Sequence, residues 1–425
     1  MQEEFLHFIW RYSLLSNLPL RNSKGEEVVV HNPGELNTNA GPDFSNGHVT
    51  IGDFSWYGAV EIHLKSSDWI SHKHHFDPAY EKVILHVVFE NDRDIFLKTA
   101  GDLPVVELKS HIDIKYVKNY KVLSERKLER PCRWELPEIS DVVWVNWKDR
   151  LLLARLERKC LLVEELLHRF KNDWNNVAWH LVCRSLGLKV NRHAFELLAA
   201  AVPNSILKRC SNSTFQLEAL LFGQAGLLPE LSASPYETAL INEYAFLRHK
   251  YGLVPMAGSQ WKKLRMRPSN FPEIRIAQLA AMAFQNTDCM GMFLEIESIK
   301  GIMEYLRVEA SPYWNTHFSF GQSTLDKRKK IGIATAQSIV INAVVPMLFF
   351  YGKTRSNETI ANKAFRLLEE MPCEKNKVIR EWGSDGITAD NAGDSQALLE
   401  LKNEFCDSKK CLSCMIGVKL LKRQS

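Results

Sequence analysis

The chain has 425 residues, of which 45% are hydrophobic and 24% charged. That composition excludes a disordered, collagenous or fibrous chain, and the length exceeds what one hydrophobic core sustains, so two or three domains are expected. The net charge of +4 does not mark the whole chain as a partner of polyanions, although residues 1–130 are acidic on balance and the remainder is basic.

Nine cysteines is an odd number, and Cys132, Cys160, Cys183, Cys210 and Cys289 are scattered singly. This argues against a disulfide framework and for a reducing, cytoplasmic compartment. The start, MQEEFLHFIWRYSLL, is acidic where an export signal is basic.

Residues 3–15 have helical spacing of apolar groups. Short period-two runs follow at Val28–His31, Val49–Phe54, Trp56–Lys65, Val83–Glu90, Ile95–Lys98 and Val105–Leu108, punctuated by Gly, Pro, Asn and Asp. Residues 66–82 are long enough for a crossover between parallel strands. Residues 113–140 are charged, contain Pro131 and Pro137, and read as a linker or arm. From residue 141 helical periodicity dominates, for example at Trp147–Phe170, Thr214–Leu227, Met292–Glu309 and Ala334–Phe350. The expected fold is α+β: a mixed-sheet domain over 1–112, then an all-α domain over 141–425. Ile331 to Gly352 carries no charged residue and is about long enough to span a bilayer, but Thr335, Gln337, Ser338, Asn342 and Pro346 suit a buried core helix better. No membrane partner is expected.

The densest chemistry lies in the β-rich part. On the strand GAVEIHLK, residues 58–65, Val60, Ile62 and Leu64 share one face and Glu61, His63 and Lys65 the other. If this strand pairs in parallel with Val83–Glu90, His86 can approach His63. Asp43 precedes a strand and sits at a sheet end, with Glu35 a further acidic candidate. Two carboxylates hold a hard cation such as Mg²⁺ or Mn²⁺, and a basic group beside them orients its water. His63, His72, His74, His75, His86, Asp68 and Asp77 crowd the same stretch, and imidazoles favour Zn²⁺ or Mn²⁺ over Mg²⁺, so a His-rich metallohydrolase is the alternative. His74 taken singly reads as a solvated loop residue.

The segment Pro42-Asp43, then Glu61, in the order helix, three strands, crossover, strand, resembles the PD-(D/E)xK nuclease core. The resemblance implies phosphodiester cleavage of nucleic acid by Asp43 and Glu61 with a metal, and His63 or Lys65 in place of the family's lysine. A non-catalytic nucleic-acid-binding or scaffold protein is the rival from another class.

Near the C-terminus, Cys406-x4-Cys411-x2-Cys414 has the spacing of a thiolate cluster for Zn²⁺ or iron–sulfur, with Cys373 the default fourth ligand. Lys262, Lys263, Arg265 and Arg267, beside Trp261 and Phe271, suit phosphate contact and base stacking. No phosphate-loop, dinucleotide or serine-hydrolase motif is present.

The stretches NPGELNTNAGPDF, GAVEIHLKSSDW, HHFDPAYEKVILHVV, LEALLFGQAGLL, RPSNFPEIRIAQLA and CLSCMIG together resemble the bacterial domain-of-unknown-function family 2851. The likeness runs from about Phe5 to the C-terminus. It implies a cytosolic bacterial protein and brings no activity with it.

Overall fold

The computed structural model describes residues 2–97, 101–126 and 128–423. Helix α1 (Glu3–Arg11) is shorter than its apolar pattern: Ser13 turns into the left-handed region at φ 49° and ends it. Leu6 and Trp10, four residues apart, enter the main core of the sheet.

That sheet contains β1 (Leu20–Arg21), β2 (Glu27–Asn32), β3 (Glu35–Leu36), β4 (Phe44–Ile51), β5 (Phe54–Lys65), β6 (Val83–Glu90) and, after a separate small hairpin of β7 (Phe96–Leu97) and β8 (Gly101–Asp102), β9 (Val105–Glu107). The order is β1-β2-β4-β5-β6-β9, with β3 paired to β4. β2, β4 and β5 are antiparallel, and β5–β6 and β6–β9 are parallel. The expected strand at 95–98 is reduced to Phe96–Leu97, and Lys98 lies outside the described residues.

Period two explains the layers. Val60 and Ile62 point into a core with Phe44, Val49, Leu85, Val87 and Val106, where α1 packs. Glu61 and His63 point to the opposite side, under the crossover. There α2 (Asp68–Ser71) buries Trp69 in a second cluster with Val83, Ile95 and Leu103. In this part of the chain glycine is sterically required at positions 34 and 58. At Gly34 (φ +94°) a Cβ would stand 2.6 Å from the carbonyl oxygen of Ser45, and at Gly58 it would stand 2.5 Å from Ile84.

The segment 113–140, expected as a linker or arm, contains helix α3 (Ile114–Glu125). Asp113 caps it by accepting from the N–H of Lys115 at 2.9 Å, Tyr120 stacks on Phe5 at 4.4 Å, and Leu123 is buried. Its outer side carries the exposed Lys118 and Lys121, so the segment is charged although it is helical.

The chain forms two compact units. The first comprises Met1–Trp147, Asp385–Ile387 and Leu401–Ser425, so the last residues, expected to close the helical domain, belong with the sheet. The second comprises Lys148–Ser384 and Thr388–Glu400 and is mainly helical, with one short hairpin of His317–Ser319 and Gln322–Ser323. The single helix expected over 292–309 is two, because Ser298 caps a new start by accepting from the N–H of Gly301 at 3.1 Å. The helix Ile333–Thr354 is apolar and long enough to cross a membrane, with 61% of its most apolar window buried. It widens into a π turn at Val340–Val344, just before Pro346.

Candidate metal centre

The register of the sheet creates the site. β4 begins at Phe44, opposite Val60, so residues 61–65 of β5 have no β4 partner on that side. Asp43 fills the gap, its Oδ2 accepting from the N–H of Ile62 at 3.0 Å. The N–H of Asp43 in turn donates to Glu61 Oε2 at 3.0 Å. The two acidic residues expected at the centre are therefore locked together at the end of one strand and the middle of the next.

Parallel pairing sets Glu61 opposite His86, and His63 Nδ1 lies 2.9 Å from His86 Nε2. His86 is fully buried and stands behind His63. His63 Nε2 looks the other way, 3.1 Å from His72 Nδ1 and 3.5 Å from Glu61 Oε1. His74 Nε2 lies 3.3 Å from the same Glu61 oxygen, and its side chain is only 11% exposed. The reading of His74 as a solvated loop residue is thus wrong. Lys73 is the reason: it sits in the left-handed region (φ 64°), and this break lets the residues on either side of it both reach His63. In a regular helix, positions two apart point away from each other. Trp69 and Tyr80 wall His74 in, with ring centroids at 5.4 and 3.8 Å.

A second group adjoins the first. Glu3 and His7, four apart on α1, converge with Asp43, and His7 Nε2 lies 3.2 Å from Asp43 Oδ2. Sequence reasoning missed this pair. The available signal was an acid and an imidazole four residues apart, on one face of the helix.

The donor atoms of His63, His72 and His74 lie within 4.8 Å of one another, as do those of Glu3, His7 and Asp43. Zinc–nitrogen bonds of 2.0–2.1 Å in a tetrahedron place ligand atoms about 3.3–3.4 Å apart, close to the separations found here. The buried Nε2 atoms of His7 and His74 face the carboxylate oxygens of Asp43 and Glu61 at 3.2 and 3.3 Å. Burial, then His74 and His72, hold the His63 pKa down at about 4, and burial followed by His63 holds His86 at about 3. Both rings are neutral at pH 7, the form that ligates metal. Burial, then Asp43, pushes Glu61 up to about 8. Burial lowers His7, but its bond to Asp43 and the Asp43 charge outweigh that and raise it. These residues fit a divalent cation.

Other expected residues stand elsewhere. Glu35 is exposed on β3 and joins neither group. Lys65 is exposed at the end of β5, where its N–H donates to Asp68 Oδ2. Asp77 is a turn acceptor for the N–H of Ala79, and His75 is exposed. In the second unit, Lys263 pairs with buried Glu273 and reaches Ser319 Oγ at 3.1 Å, whereas Lys262, Arg265 and Arg267 are exposed. Cys406, Cys411 and Cys414 share a small cavity in the first unit, which Cys373 does not line.

No curated protein and no solved structure matches the chain. Residues 3–377, most of its length, match the family described as protein of unknown function (DUF2851), and the chain belongs to that family.

Proposed function

We propose that this protein is a metal-dependent hydrolase of nucleic acid phosphodiesters, with its centre at the open edge of β5. The observation that carries the reading is the convergence of Glu61, His63, His72 and His74 beside Asp43, Glu3 and His7. The order α1, antiparallel β2, β4 and β5, crossover and parallel β6 supports this reading by its likeness to the PD-(D/E)xK core, in which Pro42-Asp43 and Glu61 would stand at the acidic positions. Three imidazoles favour Mn²⁺ or Zn²⁺ over Mg²⁺.

A bound divalent ion supplies polarisation of a phosphoryl oxygen and a water of lowered pKa. The protein does the rest. Glu61, His63, His72 and His74 bind, and His86 fixes the orientation of the His63 ring through the Nδ1 contact. Asp43 holds His7 at the rim, placed to accept a proton. On the same sheet, the rings of His31, His48 and Tyr57 form a ladder with centroids 4.5 and 4.1 Å apart, and Tyr57 is 73% exposed. Such a platform suits stacked bases, and the exposed Lys262, Arg265 and Arg267 suit phosphates.

A second reading, a His-rich metallohydrolase of another substrate, is favoured by the imidazole count. The test is cleavage of single- and double-stranded DNA and RNA by the full chain with Mn²⁺, Zn²⁺ or Mg²⁺, beside a generic phosphodiester. Glu61→Gln is expected to lower the rate by at least roughly 100-fold and His86→Ala by roughly 10–100-fold, the usual cost of losing a supporting contact. Cleavage of the generic ester alone favours the second reading. No cleavage with any ion ends both and leaves a non-catalytic scaffold.

A further inference from the structure

We infer that Cys132, Cys406, Cys411 and Cys414 form a four-thiolate metal centre, separate from the sheet site, that holds an iron–sulfur cluster or a zinc ion. The four line one small cavity with Leu123, Pro131, Phe405 and Gly417. All are free thiols, and the cavity brings no carboxylate or imidazole to the set. A purely sulfur donor set selects zinc or iron–sulfur among biological metals.

The fold gathers these residues with dedicated contacts. Cys406 ends a π turn, Leu401–Cys406, of a kind frequent at functional sites. Lys409, at φ 53°, then reverses the chain toward Cys411. Cys414 stands at the N-cap of the helix Met415–Leu421. Gly417 on that helix passes so close to Cys411 that a Cβ would lie 2.1 Å from its carbonyl oxygen. Only glycine permits that approach, and the approach brings Cys411 and Cys414 to the same cavity.

Cys132 arrives from far away in sequence and is pinned on both sides. Arg130 Nη2 and Arg133 Nε grip the buried Asp385 carboxylate at 2.5 and 2.6 Å. Arg126 Nη1 donates to the carbonyl of Pro131 at 2.7 Å, and Lys409 Nζ donates to that of Glu129 at 3.1 Å. The last contact ties the Cys132 loop directly to the loop between Cys406 and Cys411.

The pattern favours a cluster over one ion. Zinc sites commonly pair their cysteines at short spacing, two and two. Here three cysteines at x4 and x2 spacing take a distant fourth, the arrangement of plant-type iron–sulfur ligation, although the fourth precedes the other three. Donors that fall within 4.8 Å of one another occur, among the described residues, in the two sheet groups and not in this one. Thiolates around a multi-iron cluster stand further apart than the roughly 3.8 Å edge of a tetrahedron with 2.3 Å Zn–S bonds.

The experiment is metal and acid-labile sulfide analysis of the full chain, purified without oxygen, in a His63→Ala, His72→Ala, His74→Ala background that removes the imidazole donors of the sheet site. Iron with matching sulfide identifies a cluster and zinc without sulfide identifies an ion; either supports the four-thiolate centre. Cys132→Ser should lose metal at least tenfold, and Cys373→Ser should keep it. A metal-free parent, or Cys132→Ser retaining as much metal as Cys373→Ser, overturns the proposal. If Cys132→Ser does not fold, alkylation of the parent before and after chelation decides. Cys132 must be protected together with Cys406, Cys411 and Cys414 and released with them. A Cys132 that reacts independently of the trio refutes the inference.

Discussion

Replacing Glu61 by Gln separates a metal ligand from a structural carboxylate. In the metal-free protein, burial and then Asp43 push the Glu61 pKa up to about 8, from an unfolded value of 4.5. The retained proton stabilises the fold fully below pH 4.5, and that contribution is lost as pH rises through about 8. At pH 7 the unfolded chain has ionised this group and the folded chain has not. The difference spans roughly 2.5 pH units, or about 3 kcal/mol against folding. Gln carries no such penalty and keeps an oxygen for the N–H of Asp43. Chelator-treated Glu61→Gln should therefore be more stable than the parent by up to about 3 kcal/mol at pH 7. Mn²⁺ or Zn²⁺ at 100 times Kd should add about 2.7 kcal/mol to the parent and almost nothing to the variant. The assay is urea unfolding of the full chain, followed by hydrogen exchange at β5 amides with and without chelator. A variant less stable than the parent, or equally protected by metal, refutes the reasoning.

Lys73→Gly should stabilise the protein by about 1 kcal/mol and leave metal affinity intact, since Lys73 holds a left-handed conformation that disfavours a side chain; Lys73→Val should weaken both, read by urea unfolding and metal titration. Trp69→Ala should cost about 3–5 kcal/mol and loosen metal binding, because the buried indole walls His74. In the second unit, burial and then Arg169 and Arg184 lower the His180 pKa to about 4. Stability there is present above the unfolded value of 6.5 and is lost as pH falls toward 4, by about 2 kcal/mol at pH 5. His180→Phe should remove that acid-side loss, and equal losses in parent and variant would count against it.

Local patterns carried much of the fold. The alternation of Val60, Ile62 and Leu64 with Glu61 and His63 specified the faces of β5, and the length of 66–82 allowed the parallel return that brings His86 to His63. What stayed hidden depends on conformations that no periodicity encodes. The left-handed turn at Lys73 brings two loop histidines to His63. Glu3 and His7 reach the centre only because β4 stops at Phe44 and leaves the edge of β5 open to α1. Cys132 and Asp385 joined the C-terminal cysteines through contacts between segments hundreds of residues apart, beyond the reach of spacing rules that pointed to Cys373.

The central claim is that the open edge of β5 holds a divalent ion between histidines and Glu61. An anomalous difference map at the manganese or zinc edge, from crystals grown with that ion, tests it most directly. The account predicts a peak at about 2.0–2.2 Å from His63 Nε2, His72 Nδ1, His74 Nε2 and Glu61 Oε1, with Glu61 drawn onto the group of three histidines as the ion binds; three of the separations among these atoms are 3.1, 3.3 and 3.5 Å. A map with no peak at these four atoms, from crystals in which His63 still contacts His86, would contradict it.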